Sequence, residues 1–291
     1  MSIFDIFKPQ SNDTKVEKLI SLLKEKTAKN GYKLVINEEQ TPSIFDSKLG
    51  GIPYWDLIKE FPKDSTNQNM QLLAQINFEQ ITSNNSDLPQ KGLLQFFITA
   101  QNTDYGVDFS NPTEQNNFRV VYHDHIDTSV TVEAINKLNI PQGYGTNSTP
   151  IQQECFIKIE PTTTYIQTSD SQFDEIFCAC VKEIFKIDWD KDYQSFFRDK
   201  SIFKDKNDYA RQIFQALNNK HNIILGNPSF TQEDPRSNED KSIYDTLLLQ
   251  LNSYSNSDYI MWGDTGIGNF FINSNALKEH DFSKVLYNWD C

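Results

Sequence analysis

The chain has 291 residues, with 40 acidic side chains against 27 basic ones and a net charge of −13. That balance repels phosphate backbones and anionic bilayers, so neither nucleic acid nor a membrane is expected as a partner. With 37% hydrophobic and 13% aromatic residues, 21 of them Phe, the chain can build a core and is globular rather than disordered. Its four cysteines are too few for a disulfide framework. No apolar run approaches the ~20 residues of a bilayer span, and the short apolar start is not a secretory signal. A reducing cytoplasm is the expected setting.

The first 11 residues read as a tail. A helix is expected over 14–30, with Thr14-Lys15-Val16-Glu17 as a capping box, Val16, Leu19, Ile20 and Leu23 on one face, and Gly31 as a stop. Extended runs follow at 33–37, 72–78, 92–99, 118–122 and 155–160, several apolar on both faces. Between them lie polar loops at 79–90, 101–117 and 137–150. The next stretch changes character. Phe173, Ile176, Phe177, Cys180, Val181, Ile184 and Phe185 form a helical stripe, and a second helix from about 207 is expected to bury Tyr209, Ile213, Phe214 and Leu217. Strands are expected again at 245–253, 267–273 and 284–289.

Three blocks recur in order. Leu49-Gly50-Gly51-Ile52-Pro53 returns as Leu225-Gly226-Asn227-Pro228, Leu72-Leu73-Ala74-Gln75-Ile76-Asn77 as Leu247-Leu248-Leu249-Gln250-Leu251-Asn252, and Gly92-Leu93-Leu94-Gln95-Phe96-Phe97-Ile98 as Gly266-Ile267-Gly268-Asn269-Phe270-Phe271-Ile272. Their offsets are 176, 175 and 174 residues, which reads as an internal duplication. The expected fold is α+β: internally duplicated mixed α/β halves packed as one pseudo-twofold unit, with a central helical segment. One domain would run over 12–291, with repeats at about 33–165 and 221–291 and the helical segment at about 168–219.

Ser47-Lys48-Leu49-Gly50-Gly51-x-Pro53, Leu73-x-Gln75-Ile76-Asn77 and Leu88-Pro89-x-x-Gly92-Leu93-Leu94-Gln95-Phe96-Phe97 together make a specific set. Ile224-Leu225-Gly226-x-Pro228, Leu247-Leu248-Leu249-Gln250-Leu251 and Trp262-Gly263-Asp264-x-Gly266 extend it into the second half. On these blocks nearly the whole chain resembles the bacterial YwqG-like proteins, a domain of unknown function. Phe61-Pro62 stands where that family shows Trp-Pro. The resemblance implies an α+β fold with internal similarity and no established activity. It also implies an association with loci for bacterial toxins and their immunity proteins.

Several motifs spell chemistry. Asp264-Thr265-Gly266 is the aspartic-protease triplet, but aligning Gly266 with Gly92 sets Asp264 opposite Gln90, so the second carboxylate is missing. His123, His125 and Asp127 have H-x-H-x-D spacing and would share one side of a strand as a weak metal set. Further ligands are lacking, and no metal or cofactor is expected. Asp188, Asp190, Asp192 and Asp199 imitate a calcium loop, except that Tyr193 occupies the place where the turn needs Gly. Gly263-x-x-Gly266-x-Gly268 runs into a strand instead of a helix, so it is a hairpin turn and not a phosphate cradle. Cys178 and Cys180 point to different sides of one helix.

Gln75 and Gln250 are buried amides at equivalent points. They either lock the junction of the halves through backbone partners or line a pocket there. Tyr54, Trp55, Trp262 and Asp264 fall in turn-rich segments, where aromatic tips beside an acid anchor a partner or plug a core edge. Two functions are expected from this. The first is a non-catalytic module that binds a basic protein such as a toxin domain, in an immunity or accessory role. The second is a small-ligand-binding protein or hydrolase with its pocket between the halves, around Gln75, Gln250 and Asp264.

Overall fold

The computed structural model describes residues 11–82, 87–101, 104–144, 148–205, 207–219, 221–237, 241–253 and 258–291. Apart from Ser11, the expected N-terminal tail lies outside them, as do parts of the three polar loops. The first helix, α1 (Asn12–Thr27), starts earlier than the capping box would have it, because the Ser11 hydroxyl accepts the Thr14 amide at 3.2 Å. It also ends earlier. Gly31 is no helix stop but part of strand β1 (Lys29–Asn37), where a Cβ would stand 2.9 Å from the Ile224 carbonyl oxygen of a neighbouring strand.

Among the described residues ten strands form one antiparallel sheet. β1 pairs along its whole length with β6 (Cys155–Thr164), from Lys29 opposite Thr164 to Asn37 opposite Phe156. Beyond β6 follow β2 (Lys48–Leu49), β3 (Gln71–Asn77), β4 (Leu93–Ile98) and β5 (Phe118–His123). Beyond β1 follow β7 (Ile223–Leu225), β8 (Thr246–Asn252), β9 (Ile267–Ile272) and β10 (Val285–Asp290). Pro161, which has no N–H to give a ladder, sits where β6 has already run past the two-residue β2 and is an open edge.

This topology overturns the expectation of two mixed α/β halves. The repeated blocks form β3–β4 and β8–β9, each ladder with a register irregularity, between Leu72 and Ala74 and between Leu247 and Leu249. They are not separate units packed together. β1 and β6 join both arms into one nearly closed barrel of mainly β character. The arms curl until Phe96 meets Phe270 (ring centroids 5.0 Å) and Phe118 meets Tyr287 (5.1 Å). Sheet curvature thus covers the inner faces of β3, β4, β8 and β9. Loops cover their outer faces, which is why these strands are apolar on both sides.

The helices α1, α3 (Phe173–Phe185), α4 (Tyr193–Arg198) and α5 (Tyr209–Leu217) gather into a second core outside the barrel. Cys180 is buried in it and Cys178 half-buried, while Asp192 caps α4 by accepting the Ser195 amide at 2.8 Å. Phe214, expected inside, is 45% exposed. The five-residue helices α2 (Val132–Asn136) and α6 (Ser274–Lys278) carry no sequence stripe long enough to announce them. No helix among the described residues is long and apolar enough to cross a membrane.

Candidate functional site

The residues singled out in the sequence sit mostly inside the fold. Gln75 is fully buried on the outer face of β3. Its Oε1 accepts the Tyr54 amide (3.1 Å) and the Gln95 side chain (2.7 Å), and its Nε2 donates to the carbonyls of Ile44 (2.9 Å) and Asp46 (2.8 Å). Gln250 does a smaller version of the same work on the other arm, accepting the Ser229 amide at 2.7 Å and donating to the His221 carbonyl at 3.0 Å. The two amides lie against the covering loops of opposite arms, and the structure does not bring them together.

Tyr54 and Trp55 are buried under the first arm, with the Tyr54 hydroxyl accepting the Asp127 amide at 2.9 Å and the Trp55 indole donating to the Lys59 carbonyl at 3.0 Å. Trp262 is buried against Tyr105 (5.4 Å between ring centroids) and Trp289 (6.1 Å). Asp264 is exposed in the turn before β9. None of the three aromatics presents a tip to solvent.

The H-x-H-x-D run does not share a strand face. β5 ends at His123, whose ring is buried between Tyr54 and Trp55 and shares a 3.0 Å hydrogen bond with the Gln95 side-chain oxygen. Burial, helped by the nearby Lys59 charge, pushes its pKa down to about 4, so the ring is neutral at physiological pH. His125 and Asp127 are exposed beyond the strand end, where Asp127 accepts from Ser129. Among the described residues no group of three or more His, Cys, Asp or Glu side chains could hold a metal.

Two charge clusters, with three ion pairs between them, escaped sequence reasoning. Lys48 is buried under the Gly50-Gly51 turn, bound to the Ile52 carbonyl and to Glu154 at 2.9 Å, and its pKa is lowered by burial. Arg236 lies 4.6 Å over the Phe271 ring and joins Asp234 (2.8 Å) to Asp170 (3.1 Å). Burial raises the Asp170 pKa. Each charge is matched by a partner, which is how such groups act as braces.

One open feature is the gap between the two end strands of the sheet. Its upper part is closed by the loop before β5. There the Tyr287 amide donates to the Pro112 carbonyl (2.9 Å), the Tyr287 hydroxyl to the Tyr105 carbonyl (2.9 Å) and the Trp289 indole to the Asp104 carbonyl (2.9 Å). Lower down, a groove of about 550 Å³ opens between 113–116 and 119–122 on one wall and His280 with 282–284 on the other. Gln115 spans it. Its Oε1 accepts the Val120 amide at 2.7 Å, and its Nε2 donates to the carbonyls of Phe282 (3.0 Å) and Ser283 (3.1 Å). A side-chain carboxamide therefore stands where the peptide group of an added strand would stand.

Because the Val120 amide points away from β4, strand alternation turns the backbone of Phe118, Val120 and Tyr122 toward this groove. Within 104–133 all six carboxylates (Asp104, Asp108, Glu114, Asp124, Asp127 and Glu133) are exposed, against Arg119 as the one Lys or Arg. Phe109 in the same loop is 58% exposed. This acidic segment frames an edge strand that offers free backbone hydrogen-bonding groups, while the groove lining itself carries Glu114 beside Arg119 and Lys284.

The family model described as Domain of unknown function (DUF1963) matches residues 47–291. The chain belongs to the DUF1963 family. The match takes in β2 to β10, so every strand except β1, together with the groove and its acidic frame, lies within the DUF1963 domain. No curated protein matches the chain.

Proposed function

We propose that this DUF1963 chain is a non-catalytic cytoplasmic binding protein that takes up a basic protein partner at the open edge of β5. The supporting observation is the groove bridged by Gln115, in a segment, 104–133, that carries six exposed carboxylates and one Arg. An extended segment of the partner displaces the Gln115 carboxamide and hydrogen-bonds the Val120 and Tyr122 backbone, which is strand addition to a free sheet edge. The acidic frame raises the encounter rate of a positively charged partner and orients it. An immunity-type or accessory role toward a basic toxin domain is the sharpest form of this reading, and the YwqG-like resemblance leans the same way. A pocket built on Gln75, Gln250 and Asp264 is disfavoured because both amides are closed within their own arms.

The test is affinity capture with the intact chain at low and moderate salt, run in parallel with the Tyr122→Pro variant. The outward amide of Tyr122 is not used in pairing with β4, so proline removes it without breaking that ladder. Because the ring packed on Phe78 and Phe282 is lost too, urea unfolding checks first that the variant is folded. A basic protein captured by the wild type, released by salt and missed by Tyr122→Pro is the expected result. Equal capture by both forms would refute docking at β5, and absence of any basic partner would refute the reading as a whole.

A further inference from the structure

A second cavity, of about 190 Å³, lies away from the β5 groove, between the helical core and the outer face of the second arm. Its walls come from the segment after β6, the end of α5, the loop at 229–231, the end of β8 and the turn into β9. Every polar side chain in these walls is an amide or a hydroxyl, and none is charged. A charged ligand would lose its hydration there without gaining a counter-charge, so the site selects a neutral one.

The wall is held in place by its own bonds. Gln167 accepts the Asn219 amide at 3.0 Å and donates to the carbonyls of Tyr165 (2.9 Å) and Leu217, while the Ser229 hydroxyl donates to the Asn219 carbonyl at 2.8 Å. The Asn219 side-chain oxygen accepts the His221 amide at 3.4 Å. Asn219 is in the cavity wall at 6% exposure, and its Nδ2, covered from solvent just beneath that wall, has no partner among the described residues. A buried donor of this kind calls for an acceptor.

The apolar part of the lining explains an anomaly of the fold. Phe214 sits on the otherwise buried stripe of α5, yet it is 45% exposed because it stands at the mouth of this cavity, with Phe230 also in its walls. A flat aromatic face beside amides and hydroxyls suits a ring with an apolar face and a polar rim. Amides and hydroxyls each donate and accept, as the hydroxyls of a sugar do. The volume falls below the roughly 300–1,000 Å³ of sites for drug-sized ligands, so it holds a single ring.

We infer that this cavity is a binding site for one neutral sugar ring, with Phe214 against the ring face and the Asn219 side chain, held by its 3.4 Å bond from the His221 amide, turning Nδ2 into the cavity to donate to a ring hydroxyl or acetamido oxygen. The inference is independent of the partner proposed for the β5 groove.

The experiment is saturation-transfer difference NMR on the full chain with millimolar D-glucose, D-galactose, D-mannose and N-acetyl-D-glucosamine, followed by titration of whichever responds. Adenosine and uridine serve as neutral ring ligands of another class. Saturation transfer to at least one sugar is expected. Phe214→Ala, which removes a half-exposed side chain, weakens its binding about tenfold, equivalent to about 1.4 kcal/mol. Asn219→Asp keeps the shape but replaces the donor with a charged acceptor and abolishes binding. Silence from all four sugars overturns the inference. So does binding that survives both substitutions, or binding of a nucleoside but no sugar with the same dependence on Phe214 and Asn219.

Discussion

Replacing Gln75 by Leu removes four hydrogen bonds at a site closed to water, whereas Gln250→Leu removes two. In the first variant the Tyr54 amide and the Ile44 and Asp46 carbonyls lose the Gln75 side chain, while Gln95 keeps its bond to the Tyr54 carbonyl. An orphaned buried group costs about 1–3 kcal/mol, and the new apolar side chain offsets part of that. Gln75→Leu should therefore lose about 3–6 kcal/mol and Gln250→Leu about half as much. Against a domain stability of about 5–15 kcal/mol, the first change brings the protein close to its limit. Urea unfolding measures both, provided the slope is unchanged so that the midpoint shift reports stability. Equal losses in the two variants, or losses below about 1 kcal/mol in both, would refute the reasoning, because the orphaned groups would then be finding water or new partners.

His123 titrates near 4 in the folded chain and near 6.5 unfolded, so the unfolded state takes up the proton first. Stability is full above pH 6.5 and falls as the pH drops toward 4, by roughly 3 kcal/mol in all, and His123→Leu should flatten this slope in pH-dependent urea melts. Gly51→Ala places a methyl group onto the Glu154 carboxylate at a φ of 77° and should cost about 3 kcal/mol. Adding Glu154→Gln to that variant should cost little more, which a double-mutant cycle reads directly. Arg236→Met leaves Asp234 and Asp170 buried without their cation and should destabilise by about 3–5 kcal/mol in thermal or urea unfolding. Gln115→Ala should cost only about 1 kcal/mol while tightening capture of a basic partner, since no carboxamide has to be displaced from the groove.

The strands β3, β4, β5, β6, β8, β9 and β10 were legible because their runs are apolar and bounded by turn residues. β2 and β7 were not, because two or three residues carry no period and their pairing is decided by distant partners. Gly31 misled for a related reason. Its role is to let β7 approach, a contact made by residues almost two hundred positions away. The repeats misled about architecture because similar blocks can serve as separate units or as strands of one sheet, and only the long β1–β6 ladder decides between them. Local patterns also set no exposure, so Tyr54, Trp55 and Trp262 could be read as partner-anchoring tips or as plugs of a core edge, and burial decides for the second. The groove residues Gln115, Val120 and Tyr122 left no local sign, since an edge exists only once the sheet has an end. One trace was available: the run of acids around 118–123 with a single cation.

Amide hydrogen exchange across Phe118–His123, with and without the captured basic partner, tests the central claim most directly. Strand addition at β5 predicts that the Tyr122 amide slows strongly on binding and that Gln115→Ala preserves this slowing. Unchanged exchange along β5 in the complex, with protection appearing on another surface, would contradict it.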